Sequence, residues 1–382
     1  MTRLDLYLFR AAGLPLVWTL ICTTAVVWLT QVLQRVDLMV EDGGSLVAFL
    51  RVTILLLPSL VGVVTPFALL AAILYALNML ATDNELPVIG AAGGSRLRIA
   101  RPLILLSVLA SVLVLWVNLD LQPRSYRAMK DTVQEVRSDL ARAFIRSGVF
   151  TEVMDGVTIY ADEVRPGDQY VGLLIHDART PGAARTYTAE SGLFKVTEFG
   201  PRLLLARGTA QRVDPDDGRV EVVRFMETAV DLASLESSPG ERTIEGTERY
   251  LGELLHPDPT NAYDREQAGE LIAEGHARLA TPLYALAFGL LASAVLLTAP
   301  VNRRGHARRL MLAIAFAIIL RTLGFAAQTA AVDTPALNVI QYLVPVAGAV
   351  WGAGVLTGRF WAVRRRHVPN TGLFPGMSGA AA

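Results

Sequence analysis

Apolar residues are concentrated in a few long stretches that carry no charge or a single one. A helix that crosses a bilayer needs roughly 20 consecutive, mostly apolar residues. Six stretches meet or approach this length, and the fifth alone contains a charge, Arg321. The sequence therefore predicts six transmembrane helices, at residues 11–34, 52–82, 102–119, 279–302, 310–332 and 334–358.

The second and third stretches differ most from an ideal span. The second exceeds 30 residues and contains Pro58 and Pro66, each of which removes a backbone donor from a helix. We expect a kink there, or a first part that lies along the membrane interface. The third stretch is the shortest, and it can extend back to Ile99.

Basic residues indicate the orientation, because cytoplasmic segments carry an excess of Lys and Arg. With the N-terminus inside, the two short outer loops hold only Arg35 and Arg51. The sequence thus predicts cytoplasmic N- and C-termini and an extracytoplasmic insertion over residues 120–278. The thirteen bases then on the inner side are Arg3, Arg10, Arg96, Arg98, Arg101, Arg303, Arg304, Arg308, Arg309, Arg359, Arg364, Arg365 and Arg366.

The insertion changes from a helical pattern to short β runs. Helical spacing over residues 126–146 precedes them, and a helical segment at 266–278 returns the chain to the membrane. Several short strands separated by Gly, Pro and Asp turns are typical of an all-β sandwich or jelly roll. The predicted strand segments are residues 149–153, 157–161, 169–176, 185–189, 193–197, 202–206 and 220–230.

The predicted fold class is an α-helical membrane protein with an all-β, jellyroll-like domain inserted between its third and fourth helices. Residues 1–120 hold three membrane helices and a short cytoplasmic helix near 83–95. Residues 121–275 form the β domain with flanking helices. Residues 276–382 hold the last three membrane helices and a basic tail.

Composition supports a membrane protein and gives no sign of independent catalysis. The chain is 52% hydrophobic and 18% charged, whereas soluble proteins carry about 25% charged residues. Lys+Arg and Asp+Glu are both 35, so charge gives no hint of nucleic acid binding. We find no phosphate-binding P-loop, no nucleophile elbow and no histidine pair of metal-ligand spacing. We therefore expect no cofactor, no metal and no catalytic residue; the energy must come from a partner or a gradient.

The cytoplasmic loop between the second and third spans has the features of a short helix. Thr82 or Asp83 can cap its start, Pro87 is tolerated in its first turn, and glycines follow. One interpretation is an ordinary loop that caps the third helix. The other is a coupling helix, in which an acid beside apolar residues docks into a groove of a cytoplasmic ATPase.

The residues of this loop resemble the LptF/LptG permeases of the lipopolysaccharide exporter. In that family a motif of Ser or Asn, Glu, apolar residues, Ala and Gly forms the coupling helix. Three further stretches are similar, although the first lacks the family's final acid. They are Leu6-Tyr7-Leu8-Phe9-Arg10, the pair Ala189-Glu190-Ser191-Gly192 and Arg207-Gly208-Thr209, and the region from Glu274 to Pro300-Val301-Asn302-Arg303.

The resemblance implies an inner-membrane permease subunit without activity of its own. LptF and LptG form a heterodimer, and two copies of the ATPase LptB bind below. Lipopolysaccharide enters between the permeases and passes through the β-jellyroll to LptC and then LptA. The residues Gly148-Val149-Phe150, which lead into the first strand, and the start of the fourth helix are more similar to LptF than to LptG.

The resemblance also assigns a role to the loop residues. Glu85 matches the coupling glutamate of the family, and we expect it to pair with a base in the LptB groove. The predicted ATPase-coupling residues are Asp83, Asn84, Glu85, Leu86, Val88 and Ile89.

Three arginines are candidates for contact with the phosphates of the substrate. Arg35, and more weakly Arg51, can either bind a phosphate or extend to the lipid headgroups. Arg321 lies near the middle of the fifth helix, where a charge costs roughly 2.5–3.5 kcal/mol on insertion scales. It must pair with a partner subunit or face a wet cavity, and Gln328 lies on roughly the same helix face.

The β domain has two expected uses. A free strand edge can join a second jellyroll by strand addition, and an apolar groove can shelter acyl chains. The alternative functions are a membrane-anchored periplasmic sensor or scaffold and a membrane enzyme that acts on lipid. A sensor needs a signalling domain inside, and such an enzyme needs titratable residues clustered at one membrane face; neither is evident.

Overall fold

The apolar stretches form helices in the computed structural model of the chain, and the insertion forms a sheet. The structure describes residues 2–34, 46–144, 147–154, 156–167, 169–178, 184–197, 200–213, 219–231, 244–298 and 306–358. The chain divides into two compact units. A helical unit comprises Met1–Val27, Pro58–Gln122 and Arg249–Ala382, and a sheet unit comprises Trp28–Leu57 and Pro123–Glu248.

The described residues contain eleven α-helices. Six helical segments are long and apolar enough to cross a membrane, which confirms the predicted number. The helices are α1 Arg3–Leu33, α2 Leu46–Ile54, α3 Leu57–Thr82, α4 Glu85–Ala91, α5 Arg96–Trp116, α6 Gln122–Phe144, α7 Leu251–Leu255, α8 Ala262–Glu266, α9 Ala268–Leu297, α10 His306–Asp333 and α11 Asn338–Leu356.

The second span is interrupted, but not at a proline. A turn at Leu55 and Leu56 separates α2 from α3. Pro58 is the second residue of α3, where a missing N–H removes no helical hydrogen bond. Pro66 lies inside α3, which continues past it. The expected irregularity is therefore present just before the first proline.

The third span runs on without a loop into the helix predicted at the start of the insertion. A π-helical segment, Val117–Leu121, joins α5 to α6. Asn118 in this segment faces Gly62 of α3, where an added Cβ would lie 2.5 Å from the Asn118 Oδ1 atom. Gly62 thus lets α3 approach the side chain that the π segment presents.

The core of the helical unit is built around α3 and α9. Leu69, Ile73 and Leu77 of α3 are fully buried and pack in one cluster with Phe288 of α9. Gly289 allows α9 to approach α5, because a Cβ there would meet the Ser107 Oγ atom. α1 is attached differently: its buried residues are four, namely Leu8, Ala12, Leu16 and Thr24.

The sheet unit contains one antiparallel sheet whose strands follow one another in chain order. This confirms an all-β domain between the third and fourth spans. The seven predicted segments form six strands, because residues 185–189 and 193–197 belong to one continuous strand. The strands are β1 Thr151–Met154, β2 Val157–Arg165, β3 Gln169–Asp177, β4 Arg185–Thr197, β5 Gly200–Val213 and β6 Val220–Asp231.

One row of residues interrupts the pairing across five strands. On both sides of this row the register is the same, yet its members form no ladder pair with their neighbours. Two of them have a positive φ, 61° at Gly172 and 51° at Arg207. We call this the crease row: Asp162, Gly172, Glu190, Arg207 and Met226.

The crease row also changes which residues face the core. Residues on one face of an uninterrupted strand lie an even number of positions apart. Across the crease row, however, Tyr170 and Leu173 of β3 are three apart and both buried, as are Ala189 and Gly192 of β4. In β3 and β4 the alternation of core-facing and outward-facing side chains therefore shifts by one residue at this row. Both halves of the sheet still contribute to one apolar cluster.

Candidate functional site

The candidate coupling helix is present as α4, held between two tight turns. Its N-cap residue is Asn84, in the left-handed conformation at φ 60°, without a side-chain cap. The predicted caps are wrong: Thr82 is the last residue of α3, and its hydroxyl donates to the Asn78 carbonyl at 2.9 Å. Pro87 lies in the first turn, as predicted. Gly93, at φ 82°, follows the helix end.

Glu85 makes its hydrogen bond within the chain. The Tyr7 hydroxyl of α1 lies 2.9 Å from Glu85 Oε2 and 3.1 Å from Oε1, so its proton is shared between the two oxygens. Sequence reasoning singled out Tyr7 only as part of the family-like opening. The two residues are 78 positions apart, and no local pattern links them.

The apolar residues of α4 point in different directions. Leu86 and Ile89 pack against the core of the helical unit. Val88 is 66% exposed, and Pro87 is exposed beside it. Of the predicted coupling residues, the exposed ones are thus Asp83, Asn84 and Val88.

Arg321 is half-buried between two aromatic rings. The Cζ atom of its guanidinium lies 4.3 Å from the centre of the Phe325 ring and 4.8 Å from that of Tyr284. Among the described residues, no carboxylate lies within ion-pair distance of Arg321. Cation–π contacts with these two rings therefore stabilise the charge of Arg321 within the chain.

A small cavity adjoins Arg321. Its volume of ≈ 10 Å³ is about that of one water position. Arg321 and Gln328 both line it, as expected from their shared helix face, together with Thr281, Tyr284 and Gln341. Nearby, the Glu274 carboxylate accepts from Arg278 Nε at 3.2 Å and from Gln328 Nε2 at 3.0 Å.

Arg51 and Arg35 are the other two candidate arginines. Arg51 is exposed on the short helix α2. Arg35 lies outside the described residues.

A buried ion pair, absent from the sequence interpretation, anchors the segment that leads into α9. Arg249 donates through both Nη atoms to the two Asp264 oxygens, and the side chains are 9% and 4% exposed. Asp264 also accepts from the Asp258 N–H at 2.9 Å. The hydrogen bonds from Arg249 hold the pKa of the Asp264 carboxyl below its usual value. Arg278 of α9 donates to the Arg249 carbonyl at 2.7 Å.

The sheet unit contains a groove on one side of the crease row. Its volume is ≈ 600 Å³, large enough for part of a lipid chain. Leu193, Leu204 and Leu205 contribute apolar walls, and Arg165 and Glu227 are among its polar lining residues. All lining residues belong to the half of the sheet that contains Tyr170.

Comparison with known protein families assigns the chain to one of them. The family described as lipopolysaccharide export system permease LptF/LptG matches residues 6–363. The chain belongs to this family. It is therefore a permease of a lipopolysaccharide export transporter and a multi-pass protein of the inner membrane, not itself an enzyme. LptF/LptG membership also covers the sheet unit, which lies within the matched residues.

A curated relative aligns with about three quarters of this chain. It is an uncharacterized protein of Rickettsia prowazekii (strain Madrid E), 25% identical over 284 residues. The aligned part covers 74% of this chain and 78% of the relative. The relative's description gives no function, so the family assignment rests on the match over residues 6–363.

Proposed function

We propose that this chain is the LptF-type subunit of the exporter. It pairs with an LptG-type permease above two copies of the ATPase LptB, and ATP hydrolysis in LptB drives extraction of lipopolysaccharide from the membrane. The observation that carries the proposal is α4, a short helix with an apolar exposed residue, between two membrane spans. In the proposed orientation the termini and α4 are cytoplasmic and the sheet unit is periplasmic.

The exposed side of α4 is the proposed contact with LptB. Val88 offers an apolar residue to the ATPase groove, while Asp83 and Asn84 lie at the rim. Leu86 and Ile89 contribute indirectly to this contact, because they pack α4 against the core of the helical unit. Glu85 has acceptor capacity left for a base of LptB, since a carboxylate has about four acceptor positions and Tyr7 occupies few of them.

The long edge of the sheet is the proposed contact with LptC, which passes lipopolysaccharide on to LptA. β6 has twelve residues, eleven of which pair with β5 in one register, whereas β1 has four residues and a register shift. Among the described strands, β6 has no neighbour on its other side. A long regular edge is the better template for strand addition.

Arg321 is the proposed internal contact with a substrate phosphate, with Arg35 and Arg51 as outer contacts. An arginine fork matches phosphate geometry, and Arg321 has spare donors because a guanidinium carries five and no described carboxylate lies within ion-pair distance. If Arg321→Leu leaves assembly and export unchanged while Arg321→Lys does the same, this part of the proposal fails.

A pull-down with two matched variants tests the partners. Wild-type chain, tagged and taken from mildly solubilised membranes, should bring an ATPase, a second six-helix permease and LptC. Val88→Asp should lose the ATPase and keep LptC, and Val222→Asp on β6 should do the reverse. Both residues are exposed valines, so a shared loss would indicate misfolding. Glu85→Ala should lower export for each ATP consumed.

The proposed function fails if the wild-type chain is isolated without an ATPase and Glu85→Ala behaves like the wild type. In that case the periplasmic sensor or scaffold becomes the better interpretation. Preference for LptF over LptG is tested by identifying the second permease in the same pull-down, which should be the LptG-type paralogue.

A further inference from the structure

The contact between Tyr7 and Glu85 joins the first membrane helix to the candidate coupling helix. Both oxygens of the carboxylate lie within 3.1 Å of a single hydroxyl, which belongs to the cytoplasmic end of α1 in the proposed orientation. Glu85 is the first residue of α4, and Tyr7 is in the second turn of α1. The bond therefore joins the beginnings of two helices that are far apart in the chain.

α1 has few other contacts that fix its position within the helical unit. Leu8, Ala12 and Leu16 are buried at intervals of four, which is one narrow stripe along a 31-residue helix. Tyr7 lies beside the first of these residues, but its side chain is 45% exposed. A hydrogen bond at this place adds a directional contact near the start of α1. The hydrogen bonds from Thr19 to the Ala68 carbonyl and from Trp28 to the Thr53 carbonyl lie further along the helix.

α4 is suited to move as a short rigid piece. It is preceded by Asn84 in the left-handed conformation and followed by Gly93 in the same region of φ. Leu86 and Ile89 hold it by apolar contact, which tolerates sliding, whereas the hydroxyl–carboxylate bond depends on distance and angle. The bond is thus the part of the α4 attachment that is most sensitive to displacement.

We infer that Tyr7 is a positioning residue that links α4 to α1, so that displacement of α4 by the ATPase is passed to the first membrane helix. This rests on the proposed function, which places the ATPase on α4. Tyr7 also orients the carboxylate, because the oxygen lone pairs that do not accept from its hydroxyl are left for a base on the partner. Glu85 then acts in two directions, on α1 and on the ATPase.

The first test uses the exporter reconstituted in proteoliposomes, with ATP hydrolysis and lipopolysaccharide release measured together. Tyr7→Phe should assemble and hydrolyse ATP within about twofold of the wild type, yet release at least about fivefold less lipopolysaccharide per ATP. The matched control is Tyr75→Phe: Tyr75 of α3 is 59% exposed and makes no hydrogen bond to a described residue, so coupling should be unchanged.

A double variant distinguishes a link between Tyr7 and Glu85 from two independent effects on coupling. Glu85→Gln keeps an acceptor oxygen but loses the charge, so it should weaken the bond. If Tyr7 acts through Glu85, adding Tyr7→Phe to Glu85→Gln should lower coupling no further than the worse single variant. Wild-type coupling in Tyr7→Phe, or losses that multiply in the double variant, would overturn the inference.

Hydrogen exchange on the chain alone separates this inference from the proposed function. In detergent without any ATPase, Tyr7→Phe should increase deuterium uptake at both residues 3–12 and residues 83–92, while Tyr75→Phe should not. Unchanged uptake in both segments contradicts the link whatever the partners are. If uptake rises but no ATPase binds the wild type, the proposed function fails and the link stands.

Discussion

Two polar contacts of the helical unit differ in how they hold their elements. The Arg249–Asp264 pair is buried, and two parallel hydrogen bonds join its side chains. The Tyr7–Glu85 contact shares one proton between two oxygens, and Tyr7 is 45% exposed. The first contact therefore cannot open without stranding two charges away from water, whereas the second can open toward solvent.

The difference separates a fixed anchor from a joint that can work reversibly. Removing one member of a buried pair leaves an unpaired charge, which costs several kcal/mol. An exposed hydroxyl–carboxylate bond is replaced by bonds to water, so its net contribution is about 0.5–1.5 kcal/mol. In the proposed function α4 moves in each transport cycle, so the weaker contact suits α4 and the stronger contact suits the segment that leads into α9.

The largest effect is expected from Arg249→Met. Asp264 would be left buried with a negative charge and without its main donor, and the folded state should lose about 3–5 kcal/mol. The measurement is thermal or denaturant unfolding of the purified chain in detergent. A matched control is Arg249→Met combined with Asp264→Leu, which removes both charges and should recover most of the loss. A single variant as stable as the wild type would contradict the anchor.

A smaller effect is expected from acid. The pKa of Asp264 is lowered in the folded chain, so its ion pair stabilises fully above the unfolded value near 3.9 and loses that contribution as pH falls through the folded value. Each unit of difference corresponds to about 1.4 kcal/mol. The Tm gap between wild type and Asp264→Asn should therefore be largest at neutral pH and narrow below about pH 4. A gap that is constant down to pH 3 would rule out the lowered pKa.

The smallest effect is expected from Tyr7→Phe on stability. Losing a half-exposed hydrogen bond should lower the free energy of unfolding by about 1 kcal/mol or less. The same unfolding measurement that detects Arg249→Met would show little change, although coupling in the reconstituted exporter should fall. A loss as large as that of Arg249→Met would mean that the two contacts are of one kind.

Hydrophobic pattern was sufficient to predict the spans and the place of the β insertion. The long apolar stretches gave the correct number of candidate membrane spans, because a helix that crosses a bilayer needs about 20 mostly apolar residues. The division into elements was less exact: the helical segment predicted at 266–278 and the span predicted from 279 form one helix, α9, which begins at Ala268. A helix can continue through charged residues such as Glu274 when other side chains of the fold bond them.

The candidate site was predicted only in part. The α4 sequence indicated a short helix, but not that Leu86 and Ile89 face the core while Val88 is exposed. Seven residues make two helical turns, too few for a periodic pattern to show its buried side. The hydrogen-bond partner of Glu85 could not be predicted for a different reason, since a contact across 78 positions depends on how two helices pack.

The sheet shows a similar limit. In β3 the residues Tyr170, Val171, Leu173, Leu174 and Ile175 are all apolar, so alternation cannot show that the inward side changes at Gly172. Only the positive φ of Gly172 and the skipped pairings reveal the change. The glycine was visible in the sequence, but a glycine in a strand has several explanations.

The crease row gives the sheet a mechanical property that a uniform ladder lacks. Strands normally resist bending along their length because every residue is tied to its neighbours by the ladder. Here the unpaired residues of β2 to β6 lie side by side in the crease row. We therefore expect the sheet to bend along this row, while the pairing on either side of it is preserved. The groove lies entirely on one side of that row. A bend at this row would therefore turn the groove as a unit and leave the pairing of its lining strands intact.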